Sequence, residues 1–224
     1  MKRAFACAAA LAALFTAPAA SAQDADVAFN IGIFQDYVFR GFSQTSEDPA
    51  IQGGVDLTAG SFYAGAWASN VDFGDDTDAE FDIYGGYRTE AAGYALDFGV
   101  VGYFYVNAPG GADYDYVEFK AAASRAIGPV TAGAVVYYSP DFFGLDEEAT
   151  YVEGNLAWAF ADKWAASGAV GYQALDVNDD YTTWNAGVTY TLVEGLGLDV
   201  RYFDTDVDGP LSDDRIVGSL KYSF

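Results

Sequence analysis

Along most of the chain apolar and polar residues alternate one by one. At the C-terminal end Ile216, Gly218, Leu220, Tyr222 and Phe224 share one face, and Arg215, Val217, Ser219, Lys221 and Ser223 share the other. A period of two puts successive side chains on opposite faces of an extended chain, so this segment predicts a strand and not a helix. Trp184, Ala186, Val188, Tyr190 and Leu192 repeat the pattern against Thr183, Asn185, Gly187, Thr189 and Thr191, and 164–173 repeats it with small residues on the inner face. Carried through, the alternation predicts twelve strands, near 27–40, 50–58, 62–71, 80–88, 94–106, 114–125, 129–138, 149–160, 164–173, 182–192, 196–204 and 214–224.

The connections alternate as well. Those near 59–61, 89–93, 126–128, 161–163 and 193–195 are short, and the intervening ones are longer and mostly rich in Asp, Gly and Pro. An even number of strands with short turns at one end and long loops at the other is the pattern of an outer-membrane barrel. A secreted β-sandwich also alternates, but its inward faces must be apolar. Here one face is polar, and the apolar face carries aromatics near strand ends (Trp67, Tyr87, Tyr94, Trp158, Trp164, Trp184, Tyr190, Tyr202, Tyr222), as interfacial girdles do. After residue 23 no apolar run is long enough for a membrane-spanning helix. The fold class expected is all-β, a transmembrane up-and-down antiparallel β-barrel of about twelve strands occupying 23–224.

Residues 1–22 read as a cleaved signal peptide. Lys2 and Arg3 form a basic start, 4–17 an apolar core, and Ala20-Ser21-Ala22 a small-residue cleavage signal. Cys7, the one cysteine, leaves with it, so the mature chain has no thiol for a disulfide or a metal site.

Composition narrows the chemistry. With 10 Lys+Arg against 33 Asp+Glu the net charge is −23, which argues against a nucleic-acid partner, since phosphate binding needs clustered bases. The absence of His removes the usual general acids, assisted nucleophiles and imidazole metal sites, and no enzyme activity is expected. Hydrophobic residues make up 52% and aromatics 17%, enough apolar surface for a folded chain despite the charge.

Three stretches carry a family resemblance: Asp36-Tyr37-Val38-Phe39-Arg40-Gly41-Phe42-Ser43-Gln44-Thr45; Pro49-Ala50-Ile51-Gln52-Gly53-Gly54; and 60–73, from Gly60-Ser61-Phe62-Tyr63 to Asn70-Val71-Asp72-Phe73. With Glu80-Phe81-Asp82-Ile83-Tyr84-Gly85-Gly86-Tyr87, the region 28–88 resembles the TorF-type porin family of Gram-negative outer membranes. The resemblance implies an outer-membrane barrel assigned to transport, with no agreed substrate. The last strand, ending in Phe224, is similar to an outer-membrane assembly signal, with one departure: the small residue expected three before Tyr222 is Ser219, with Gly218 beside it.

Reading the alternation through places Asp36, Arg40, Asp56, Asp82, Arg88, Asp97, Glu118, Lys120, Glu153, Asp199, Arg201, Arg215 and Lys221 on the inner face as candidate pore-lining residues. Acids and bases in near balance suit paired ions, either bracing the barrel or setting a transverse field for small polar solutes. Asp36 and Arg40, four apart on the first predicted strand, read as a constriction or as a brace in which Arg40 pairs with Asp56 or Asp82. The remaining acidity falls in three loop clusters: Asp72, Asp75, Asp76, Asp78 and Glu80; Asp141, Asp146, Glu147 and Glu148; and Asp204, Asp206, Asp208, Asp213 and Asp214. Such a mouth either concentrates cations and repels anions or is a solvated, lipopolysaccharide-side surface neutralised by divalent ions. Asp204-Thr205-Asp206-Val207-Asp208-Gly209 matches the first half of an EF-hand loop, but Arg215 stands where the bidentate Glu belongs, so no specific metal site is assigned and no cofactor is expected. The function expected is an outer-membrane porin or narrow channel for small polar or cationic solutes, exported through the periplasm. Its expected partners are outer-membrane lipid, lipopolysaccharide and the outer-membrane assembly machinery. The alternative is a non-conducting structural or adhesive barrel, which a loop inside the lumen would favour.

Overall fold

The computed structural model describes residues 25–110, 112–176 and 178–224. The expected signal peptide, with Cys7, lies outside the described residues. Twelve antiparallel strands close into one barrel: β1 (Asp26–Phe34), β4 (Ala50–Ala59), β5 (Phe62–Asn70), β6 (Ala79–Ala91), β7 (Tyr94–Val106), β8 (Tyr116–Ile127), β9 (Val130–Ser139), β10 (Ala149–Ala161), β11 (Trp164–Leu175), β12 (Tyr181–Val193), β13 (Leu196–Thr205) and β14 (Arg215–Ser223). Each strand pairs with its neighbours in the chain, and β1 closes on β14 with Asn30 opposite Ser223 and Phe34 opposite Ser219. Backbone bonds between Phe29 and Phe224 extend that seam to the last residue. Closure matters because an unpaired strand edge facing lipid has no water to satisfy it.

The five short turns are those the alternation predicts. Ala92-Gly93 adopts positive φ at both residues (53° and 79°), the mirror-image geometry that matches strand twist, and Gly60, Gly128 and Gly195 supply left-handed residues at three others. Outward positions are apolar and exposed along whole strands, such as Val27, Phe29, Ile31 and Ile33 on β1. Trp158, Trp164 and Tyr190 lie at the short-turn end, and Phe119, Tyr138 and Tyr172 at the other. Trp67 departs from the girdle expected of it: it sits on the same β5 face as Tyr63, turned inward, where its ring meets Tyr37 at 5.3 Å.

The first predicted strand is too long. It ends at Phe34, and the chain then turns into the barrel as a small hairpin, β2 (Val38–Phe39) and β3 (Phe42–Ser43). Alternation persists through 36–40, but the register with β4 and β14 does not, because Arg40 and Gly41 take positive φ (47° and 92°) and reverse the chain.

Candidate functional site

The inserted segment 35–49 spans the lumen from one wall to the other. On one side Tyr37 donates to Glu80 Oε1 of β6 (3.2 Å) and Phe39 meets Tyr103 of β7 (6.1 Å). On the opposite side Phe42 packs on Tyr181 of β12 (5.0 Å), and the Ser43 amide donates to the Leu211 carbonyl (2.8 Å). At its turn, Gly41 fits because it has no Cβ: one built there would overlap Thr205 and Thr183 of β13 and β12. Positive φ at Gly41 is cheap as well, so both its conformation and its contact require glycine.

Arg40 is the segment's deepest anchor. Its side chain is 6% exposed and forms a two-pronged pair with Glu118 of β8 (2.8 and 2.7 Å). It also donates to Gln173 Oε1 of β11 (3.0 Å) and lies against the rings of Phe39, Tyr137 and Tyr151. Burial disfavours its charge, but Glu118 outweighs burial and holds the guanidinium protonated above its ordinary range. A second anchor joins Asp36 to Arg215 of β14 (2.9 Å), with Ser43 and Thr45 hydroxyls also donating to Asp36. The expected brace from Arg40 to Asp56 or Asp82 is therefore not formed, and Asp36 and Arg40 do not share a strand face; a reversing chain sends them to opposite walls. Burial, and after it Glu80, pushes the Tyr37 hydroxyl well above its ordinary range, so it remains a neutral donor.

Nearer the short-turn end the wall carries two ionic hubs. Asp97 of β7, fully buried, accepts from Lys120 (2.8 Å) and Tyr63 (2.7 Å), with Arg88 at 3.6 Å over the Tyr63 ring. Arg201 of β13 reaches Asn185 (2.7 Å), Ser167 (2.8 Å) and Asp199 (3.3 Å), and Thr189 donates to Asp199 (2.7 Å). Asp56 accepts from Tyr84, and Glu153 from Tyr151 and Asn155. Lys221 shares the inward face of β14 with Arg215.

These large side chains lie flat along the wall. Tyr84 covers Gly65, Tyr63 covers Gly86 and Gly99, Tyr151 covers Gly171, and Arg201 covers Gly187; a Cβ at any of these glycines would strike the side chain above it. Arg88 keeps 38% of its side chain exposed despite facing inward.

The outer loops gather as an acidic mouth, one side of which is closed by an aromatic cluster of Phe73, Tyr105, Tyr114 and Phe143. Glu80 does not belong to that mouth. It is 2% exposed on the inner face of β6, two residues before Asp82, and this shared phase is the signal that could have placed it. Alternation also gave no sign that inward tyrosines and Gln173 supply so many of the hydrogen bonds. The EF-hand-like loop spends its carboxylates locally: Asp204 accepts from Tyr202 and the Thr205 amide, and Asp206 from the Thr182 amide. Among the described residues no three metal-ligating side chains group together.

The chain belongs to the family described as "Bacterial protein of unknown function (Gcw_chp)", whose model matches residues 17–221. No curated protein matches it. Among solved structures it is similar to the KdgM porin at 9% identity and TM-score 0.63, over 88% of this chain and 99% of that one. It is also similar to the NanC porin (11%, 0.57, 89% and 99%) and to the COG4313 outer membrane channel of Pseudomonas putida F1 (11%, 0.55, 88% and 94%). At such identities the likeness is one of fold, and the fold is the closed twelve-strand barrel of outer-membrane porins.

Proposed function

We propose that this Gcw_chp protein is an outer-membrane channel for small polar or cationic solutes, with segment 35–49 as its constriction. The observation that carries the reading is the flattening of large polar side chains onto inward glycines. A barrel meant only to be filled would interdigitate side chains across its centre, whereas these lie along the wall, which supports an inner lumen open to water. The thirteen inward charged residues named from the sequence line this path in the proposal, Asp36 and Arg40 through the inserted segment. The acidic mouth favours cations, and attraction weakens with salt. The KdgM porin is also known in complex with disordered oligogalacturonate; the acidic loops here would repel an anion of that kind. The TorF-type resemblance of 28–88 supports a transport role in the outer membrane. Export by cleavage after Ala22 and contact with lipopolysaccharide belong to the same proposal, and no catalytic role is part of it.

The segment crossing the lumen favours a second reading, a barrel closed by its own loop and serving a structural or adhesive role. Single-channel recording of the refolded, signal-free protein in a planar bilayer under a salt gradient separates them. Discrete steps with a cation-selective reversal potential are expected. A membrane-inserted barrel that never conducts, even after deletion within 35–49, would overturn the channel in favour of the closed barrel.

A further inference from the structure

Most buried lumen carboxylates of this barrel meet a base: Asp97 meets Lys120, Glu118 meets Arg40, Asp199 meets Arg201, and Asp36 meets Arg215. Glu80 and Asp82 are built differently. They are two apart on β6 and share its inward face, with Glu80 almost fully buried and Asp82 partly so. Tyr37 donates to Glu80 Oε1, Tyr105 also reaches Glu80, and the Glu80 and Asp82 carboxyls meet each other, so that Glu80 Oε2 and Asp82 Oδ1 converge, shut away from water, with no base between them. Their cross-strand neighbours are Ser69 and Tyr105 beside Glu80, and Trp67 and Tyr103 beside Asp82, none of them basic. Tyr105 in turn meets the Tyr116 hydroxyl, in a residue only 5% exposed whose ring stacks on Tyr103 at 4.3 Å.

Burying carboxylates away from any base is costly, and two adjacent ones in a water-poor wall cannot both stay charged without a counter-ion; otherwise they share a proton. We propose that Glu80 and Asp82 hold a divalent cation beneath segment 35–49. Two carboxylates balance a double positive charge, and a hard ion such as Ca²⁺ takes carboxylate, hydroxyl and water oxygens. With only two acidic ligands the affinity belongs to the weak class, with Kd on the order of 10⁻⁴–10⁻³ M. The site does not rest on conduction: a closed barrel would hold the ion equally well.

The test uses the refolded barrel in detergent micelles with Tb³⁺ as probe and Ca²⁺ as competitor. Trp67 stands beside Asp82, while Trp184 stands opposite Asp204 of the third acidic cluster, so the assay is run in a Trp184→Phe background, where selective Trp excitation reports the inner site and not the mouth. Expected are Trp-sensitised Tb³⁺ emission displaced by Ca²⁺, at least tenfold weaker binding in Glu80→Gln and in Asp82→Asn, and no change in Asp75→Asn/Asp76→Asn. Trp67→Phe should abolish the emission while calorimetric Ca²⁺ binding persists. The amides are isosteric and remove like charges, so folding is retained, which heat-modifiable gel mobility checks. Two results overturn the proposal: binding that is identical in the Glu80→Gln/Asp82→Asn double variant, which is mouth binding only, or no Ca²⁺-competed emission together with a protonated-carboxyl infrared band lost in Glu80→Gln, which is a shared proton.

Discussion

Replacing Arg40 by Ala removes the deepest anchor of segment 35–49 and strands Glu118. The Glu118 side chain is 1% exposed, and two of its hydrogen bonds come from Arg40, with a third from Tyr103 at 3.0 Å. Removing one partner of a buried pair costs about 3–5 kcal/mol, most of it the orphaned charge left behind. The lost ring contacts add to it, at about 0.5–1 kcal/mol or more each. The segment's other ties survive, including Asp36 to Arg215, so the loss falls on local opening rather than on the barrel. At 1.36 kcal/mol per decade, amides of 38–44 should exchange roughly 150- to 5000-fold faster, while β8 and β11 amides stay protected. Hydrogen exchange with mass-spectrometric readout measures this, and bilayer recordings should show larger or flickering steps. Adding Glu118→Gln removes the stranded charge and should recover part of the protection, a coupling that a double-mutant cycle quantifies. Exchange in 38–44 indistinguishable from the parent would refute the anchor, and equal losses in the single and double variants would refute its electrostatic basis.

Asp97→Ala leaves Lys120 and Tyr63 without their shared acceptor and should cost about 2–4 kcal/mol, discounted from a fully buried pair because Arg88 and Lys120 retain some exposure; a urea midpoint equal to the parent's contradicts the hub. Gly41→Ala places a Cβ against Thr205 and Thr183 at φ 92° and should expel the hairpin turn, read as new protease cleavage between 38 and 44 in an otherwise intact barrel. Single-tryptophan variants should divide cleanly: brominated lipid quenches Trp158 and Trp164 but spares Trp67, and quenching of Trp67 would reverse its assigned face. The Asp180 carboxylate accepts from the Tyr172 hydroxyl and the Leu175 amide, which hold it below the usual carboxylate value. Because its folded value is depressed, the loop it ties is fully held above the ordinary value near pH 4 and loosens only as pH falls through the lower folded value. Leu175 amide exchange, corrected for intrinsic rates, should therefore be flat from pH 7 to 5, and loosening within that window counts against the tie.

The sequence by itself determined the barrel. Strand number, the five tight turns, the lipid-facing set and the inward phase of residues such as Asp97, Glu118 and Arg201 all follow from a period of two, because a strand side chain has only two faces to choose from. What alternation cannot carry is position around the ring and depth along it. Arg40 and Glu118 are 78 residues apart, and only closure of the sheet brings β8 opposite the inserted hairpin. The first strand was overrun for the same reason: Asp36, Val38 and Arg40 keep the phase of a strand, while the positive φ of Arg40 and Gly41 and the contacts of 35–49 with the far wall are tertiary facts. Trp67 and Glu80 were misplaced because an aromatic near a strand end and an acid beside an acidic loop have the same one-dimensional signature whichever way they point. Only the paired neighbours, Tyr37 above both of them, decide that they face inward.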